Sequence, residues 1–159
     1  SMFFEDPFAA FANLHSLLKP GARIDLAVWG PPRENLWMME MMGVVRRHVD
    51  IPPAVPRAPG PFAFEDLEYL KEVLAAGGFS SPDIMAYTGR QPVGGVGATV
   101  QEAVSFVLSS MAVGKALDEQ GTDVRAAAEG ELLELFAKHH VPNQGVMMQG
   151  KAWLVSAKA

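Results

Sequence analysis

Asp6-Pro7-Phe8-Ala9-Ala10-Phe11-Ala12-Asn13-Leu14-His15-Ser16-Leu17-Leu18-Lys19-Pro20-Gly21-Ala22-Arg23-Ile24-Asp25-Leu26-Ala27-Val28-Trp29 reads as a helix, a tight turn and a strand. Asp6 is a carboxylate N-cap, and Pro7 takes the first helical position, where a missing N–H costs no hydrogen bond. Phe8, Phe11, Leu14, Leu17 and Leu18 recur at helical spacing. Lys19-Pro20-Gly21 stops the helix. Arg23 to Trp29 has the length and residue types of a strand and is closed by Gly30-Pro31-Pro32. His15, near the end of this helix, is expected to be a solvent-facing ring. Helix, turn and strand in this order form half of an α/β unit.

Outward from that unit, residues 33 to 49 read as a short helix rich in Leu36, Trp37, Met38, Met39, Met41 and Met42, with Glu40, Arg46 and Arg47 as a partial polar side. Five prolines between Asp50 and Pro61 make a stiff loop, because proline cannot donate to helix or sheet ladders. Asp66 caps a helix with Leu67, Leu70, Val73 and Leu74 on one face, ending at Gly77-Gly78. Ile84 to Thr88 reads as a second strand. Thr99 and Glu102 have capping-box spacing ahead of Val104, Val107 and Leu108, and another helix runs from near Asp123 towards His139. Val146 to Ala157 closes the chain as one long or bent strand around Gly150.

The chain has 159 residues, 49% hydrophobic and 19% charged, so one domain over residues 1 to 159 is expected. A chain of this mass hides roughly 70% of the surface its unfolded form exposes, enough for a core without staples. The absence of cysteine excludes thiol catalysis, thiolate metal sites and disulfides, and fits a reducing compartment, the cytoplasm by default. A net charge of -5 and no basic run longer than Arg46-Arg47 argue against nucleic acid or an anionic membrane surface. No apolar stretch reaches the ~20 residues of a membrane span.

Gly94-Gly95-Val96-Gly97-Ala98-Thr99 follows a strand and opens a helix, as a dinucleotide loop does. It lacks the third glycine, and Asp118 and Glu119 lie in helical sequence instead of at a strand end. It reads as a plain loop, with anion binding at the helix start as the other reading. None of the four histidines has metal-ligand spacing with carboxylates. His48 is either a base over a substrate pocket or a charge at a helix end, and His139-His140 read as helix-end charges. Trp37 and Met41, with the neighbouring methionines, line a hydrophobic pocket or belong to the core. Trp29, Arg33 and Asn35 follow the carboxyl end of a strand, where open α/β sheets place ligands.

The string Met2-Phe3-Phe4-Glu5-Asp6-Pro7, the helix, Leu18-Lys19-Pro20-Gly21 and a strand ending in Trp29 resembles the middle of class I S-adenosylmethionine-dependent methyltransferases. Trp29-Gly30-Pro31, Glu34-Asn35-Leu36-Trp37, the proline-rich stretch, Pro61-Phe62-Ala63-Phe64 and Leu74-Ala75-Ala76-Gly77-Gly78-Phe79 follow in the order of one bacterial branch of that family. The resemblance implies a partial Rossmann-like methyltransferase fold, α/β in class, with a three-stranded mixed sheet equivalent to strands 5-7-6 and about five helices. Residues 23 to 29 would be the fifth strand, about 84 to 88 the sixth and about 146 to 157 the seventh. It further implies a small-molecule substrate flanked by residues 33 to 62, with Trp29, Arg33, Asn35, Trp37, Met41 and His48 on the substrate side and Phe3 and Phe4 near S-adenosylmethionine. The family's glycine-rich cofactor turn and acidic ribose-binding residue have no counterpart here, so the chain alone is expected to be inactive.

Methyl transfer needs no diagnostic catalytic residue, because the sulfonium cofactor carries the reactivity and the protein mainly aligns the reactants. The alternative is a non-catalytic methyltransferase-like protein that binds a small molecule or dimerises. Loss of the fourth strand would leave residues 23 to 29 as an open edge carrying only Asp25 as an internal charge, and a homodimer through that edge is expected.

Overall fold

The computed structural model describes residues 1–159. It is an α/β structure with six helices and an open antiparallel sheet of four strands. In chain order these are α1 (Pro7–Ser16), β1 (Arg23–Trp29), a 3-10 turn (Pro32–Glu34), α2 (Leu36–Val45), α3 (Leu67–Ala76), β2 (Ser80–Val93), α4 (Val100–Ser110), α5 (Ala112–Asp118), α6 (Thr122–His139), β3 (His140–Val141) and β4 (Gly145–Lys158). The sheet order is β1-β4-β2, with β3 paired to β4. β1 lies antiparallel to β4, from Arg23 opposite Lys158 to Trp29 opposite Ala152.

The three-stranded mixed sheet and five helices expected from sequence are corrected here. The fourth strand is the two-residue β3, too short to leave a periodic pattern, and it turns back onto β4 with Asn143 in the left-handed region. α5 is the additional helix and follows α4 after the extended residue Met111, at φ -115 and ψ 153. β2 is also much longer than residues 84 to 88. Pro82, Gly89 and Pro92 argue against a strand by local rules, but β2 is an edge strand, where proline is tolerated. The helix read over residues 33 to 49 divides into the 3-10 turn and α2.

The chain forms two compact units. The first comprises Ser1–Asn35, Ala54–Thr88 and Lys151–Ala159. Its core gathers Phe11, Phe64, Tyr69, Leu70, Val73, Leu74 and Phe79 from the helices and loops against Val28, Val155 and Ala157 of the sheet. The Phe11 ring meets Phe64 edge to face at 5.9 Å and Phe79 at 6.3 Å, and such pairs are worth about 0.5–1.5 kcal/mol each beyond their burial.

Asp6 and Asp66 cap α1 and α3 as the sequence predicts. Contrary to expectation, His15 is half-buried and packs edge-on against Phe79 at 5.2 Å. Two glycines allow it: a Cβ at Gly77 would come within 2.9 Å of the Phe11 Cβ, and one at Gly78, with φ +94, within 3.2 Å of the His15 ring. One face of this part of the sheet stays open. Asp25, Leu26, Ala27, Asp83, Met85, Leu154, Val155 and Ser156 line a shallow depression of about 430 Å³, and Met85 is 62% exposed.

The second unit comprises Leu36–Pro53 and Gly89–Gly150. α4 packs on α5 and α6, and α2 packs on α6. The buried residues are mostly aliphatic: Val44 and Val45 on α2, Val104, Val107 and Leu108 on α4, Leu117 on α5, and Ala128, Leu132 and Phe136 at four-residue spacing on α6. Gly114 is required here, because a Cβ would strike the Leu108 carbonyl. The expected capping box forms at the head of α4. The Thr99 N–H donates to Glu102 Oε2 at 2.8 Å, and the Glu102 N–H donates to Thr99 Oγ1 at 3.2 Å. No helix is long and apolar enough to cross a membrane.

Candidate functional site

β1 delivers Trp29 and the turn after it to the carboxyl end of the strand, and a polar tie fixes the path of that turn. Asn35 is fully buried. Its Nδ2 donates to the carbonyls of Gly30 and Pro31, each at 3.0 Å, and its Oδ1 accepts the Lys151 N–H at 3.0 Å. The Gly30 N–H donates to the Lys151 carbonyl at 2.9 Å. The Lys151 ammonium then pairs with Glu34 at 2.6 Å and lies 4.6 Å from the centre of the Trp153 ring. Asn35 therefore positions the loop by bonding its backbone, while Arg33 stands exposed beside it. Sequence reasoning missed Lys151 and Glu34, which lie 117 residues apart; a lysine entering the strand beside Ala152 and Trp153 was the one local sign.

The proline-rich loop shapes a mainly apolar cavity of about 250 Å³ between Pro32 and residues 54 to 65. Arg57 and Glu65 are its charged lining groups. Arg57 pairs with Asp66 at 3.1 Å and sits over the Tyr69 ring at 4.5 Å. The Arg57 guanidinium first, and then the amides of Tyr69 and Glu68, hold the Asp66 carboxyl below its usual range against the opposing effect of desolvation. Phe3 is 66% exposed, and Phe4 is exposed while its ring meets Phe11 edge-on at 6.4 Å. Trp29, Arg33, Asn35, Phe3 and Phe4 all belong to the first unit.

Trp37, Met41 and His48 belong to the second. Trp37 and Met41 are buried. His48 Nε2 is 3.1 Å from Glu131 Oε1, and Glu131 also takes the Arg47 guanidinium, with Arg47 Nε at 2.8 Å. Arg47 first, and His48 after it, lower the pKa of the Glu131 carboxyl. About two turns away His139 Nε2 is 2.7 Å from Glu40 Oε2. These pairs border a groove of about 490 Å³ between α2 and α6, lined by Glu40, Gly43, Val44, Arg47, Glu131, Glu134, Leu135 and Lys138. A carboxylate that orients an imidazole is an arrangement able to move a proton. The partners of His48 and His139 lie 83 and 99 residues away in sequence, so no local pattern announced them.

The Glu102 carboxylate accepts the Thr99 N–H and hydroxyl, so the capping position of α4 already holds a negative group. That backbone bond is the main cause of Glu102's lowered pKa. No group of three or more histidine, aspartate or glutamate side chains is placed to hold a metal ion. No protein-family model matches the chain, and no curated protein matches it in sequence.

Proposed function

We propose that the chain is the carboxyl-terminal part of a class I S-adenosylmethionine-dependent methyltransferase acting on a small molecule, with a partial Rossmann-like fold. The observation that carries this reading is the strand order. β4, last in sequence, lies between β1 and β2, which is the 5-7-6 order that the motif resemblance requires of residues 23–29, 145–158 and 80–93. Chain order alone would place β2 beside β1, so the agreement is not a consequence of connectivity.

On this reading the tie made by Asn35 and Lys151 holds the substrate-side turn, and the cavity between Pro32 and residues 54 to 65 offers an apolar wall with Arg57 at its margin. Trp29 and Arg33 lead into that wall. Trp37 and Met41 are buried within the second unit, where His48 is held by Glu131. S-adenosylmethionine, when bound, supplies the electrophilic methyl group. The exposed ring of Phe3, with Phe4 beside it, suits the flat adenine of such a cofactor. A glycine-rich turn for the rest of the cofactor is lacking among these residues, so activity requires a polypeptide that supplies one.

The test is calorimetric titration of S-adenosylhomocysteine into this chain and into the same chain extended by the residues encoded immediately upstream in its gene. Micromolar binding by the extended chain and none by the 159 residues is the expected result. An upstream reading frame without a glycine-rich strand-turn-helix, or an extended chain that does not bind, overturns the proposal.

A further inference from the structure

The two edges of the sheet differ in how they are protected. β2 carries Pro82 and Pro92, which have no N–H to offer, and Ser81 at φ 50 breaks its extended path. These are the features by which edge strands avoid pairing with other chains. β1, Arg23-Ile24-Asp25-Leu26-Ala27-Val28-Trp29, has no proline and runs in unbroken register against β4.

The flanking hydrogen bonds show which backbone groups of β1 face outward. The Gly30 N–H donates to Lys151 and the Ala159 N–H donates to Ala22, so the even-numbered residues bond to β4. The N–H and C=O groups of Arg23, Asp25 and Ala27 therefore point off the edge, where they meet no other backbone.

We infer that β1 pairs antiparallel with β1 of a second copy of this chain, with the two-fold axis at Leu26. Outward-facing residues must pair with outward-facing residues, which limits the register to a few choices. An axis at Asp25 sets two carboxylates face to face, which is unfavourable. An axis at Ile24 runs Ala27 out against the partner's Gly21, which has φ +78 and has left the extended conformation. The axis at Leu26 uses all seven residues, sets Asp25 opposite the partner's Ala27 and Arg23 opposite the partner's Trp29, and brings no like charges together. It also sets Ile24, Leu26 and Val28 opposite the partner's Val28, Leu26 and Ile24 on the apolar face, so one sheet continues through both copies. This inference is made for the 159 residues by themselves: on the methyl-transfer reading the strand equivalent to the fourth, supplied from upstream, takes the same edge, so the extended chain should not pair in this way.

Sedimentation equilibrium of the 159-residue chain between about 1 and 100 µM tests it, with amide hydrogen exchange as a second readout. The expected mass is twice 17.1 kDa at the upper concentrations, with the Asp25 and Ala27 amides protected only in the dimer. Ala27→Asp sets a carboxylate opposite Asp25 twice and should weaken association roughly ten-fold. Ala27→Lys should preserve or tighten it, and Asp25→Lys combined with Ala27→Asp should restore it. Ala27 is exposed, and circular dichroism checks that each variant folds. A wild-type chain that stays monomeric at 100 µM overturns the inference. So does equal association of the Ala27→Asp and Ala27→Lys variants, or exchange protection that does not depend on concentration.

Discussion

In one unit of this protein α1 and α3 meet through rings: Phe11 touches Phe64 and Phe79 edge to face, His15 lies on Phe79, and Phe8 lies on Tyr69 at 6.0 Å. In the other, α2 and α6 bury Val44, Val45, Leu132 and Phe136 and then add charged pairs at the rim, Glu131 with Arg47 and His48 and Glu40 with His139. Ring packing is indifferent to ionic strength and works by displacing water. Exposed ion pairs contribute little at neutral pH and less in salt, but they respond to protonation. The difference lies in the two sets of contacts: those around α1 and α3 depend on ring shape, whereas the α2–α6 contact adds pairs that respond to pH, as the Arg57–Asp66 pair does elsewhere in the sheet unit.

The largest expected effect comes from removing one ring from each core. Phe11→Ala and Phe136→Ala should each cost about 3–5 kcal/mol, because both side chains are fully buried and leave cavities. Denaturant melts at pH 5 and pH 7, in low and high salt, should give the Phe11→Ala loss as a constant. A Phe11→Ala penalty that changes with salt would break the comparison.

A smaller loss belongs to the polar tie of the sheet unit. Asn35→Ala leaves the Gly30 and Pro31 carbonyls and the Lys151 N–H without these partners, which should cost about 1–3 kcal/mol. Amide exchange at Lys151 should accelerate in step. An unchanged midpoint and an unchanged Lys151 amide would mean that the turn holds its path without Asn35.

The smallest effect sharpens the comparison most. The Glu131 carboxyl has a lowered pKa in the folded state, chiefly through its hydrogen bond from Arg47, so its contribution is fully present above the unfolded carboxylate value and disappears as pH falls through the folded one. Glu131→Gln should therefore lower the thermal midpoint slightly at pH 7, and wild type and variant should converge only as pH falls through the lowered folded-state value, below the ordinary carboxylate range. High salt should shrink the difference at pH 7 as well. A gap that widens on acidification would reverse the sign of this argument.

Local chemistry made much of the fold legible before any coordinates. Asp6, Asp66 and the Thr99–Glu102 box announce three helix starts, because a capping oxygen acts within three residues of itself. The seven residues of β1 are bounded by a positive-φ glycine before and a proline pair after. Sequence pattern shows only residues 84 to 88 of β2, because its prolines are forbidden in a central strand and allowed at an edge, and only the completed sheet says which it is. Asn35 was legible as a polar residue at a strand end. Its use was not, since a ligand contact and a backbone tie require the same side chain.

By itself, then, the amino-acid sequence determined helix caps, chain breaks, the apolar faces of α1 and α3, and the lack of thiol chemistry, all of which depend on residues within a turn or two of one another. Only tertiary structure decided that β4 enters between β1 and β2, that His15 lies on Phe79, and that Glu131 faces Arg47 and His48. Those partners are tens of residues apart in the chain. Nothing in a short window distinguishes an exposed charge from a paired one, or an edge strand from a central one, until the packing of the apolar faces has brought the distant segments together.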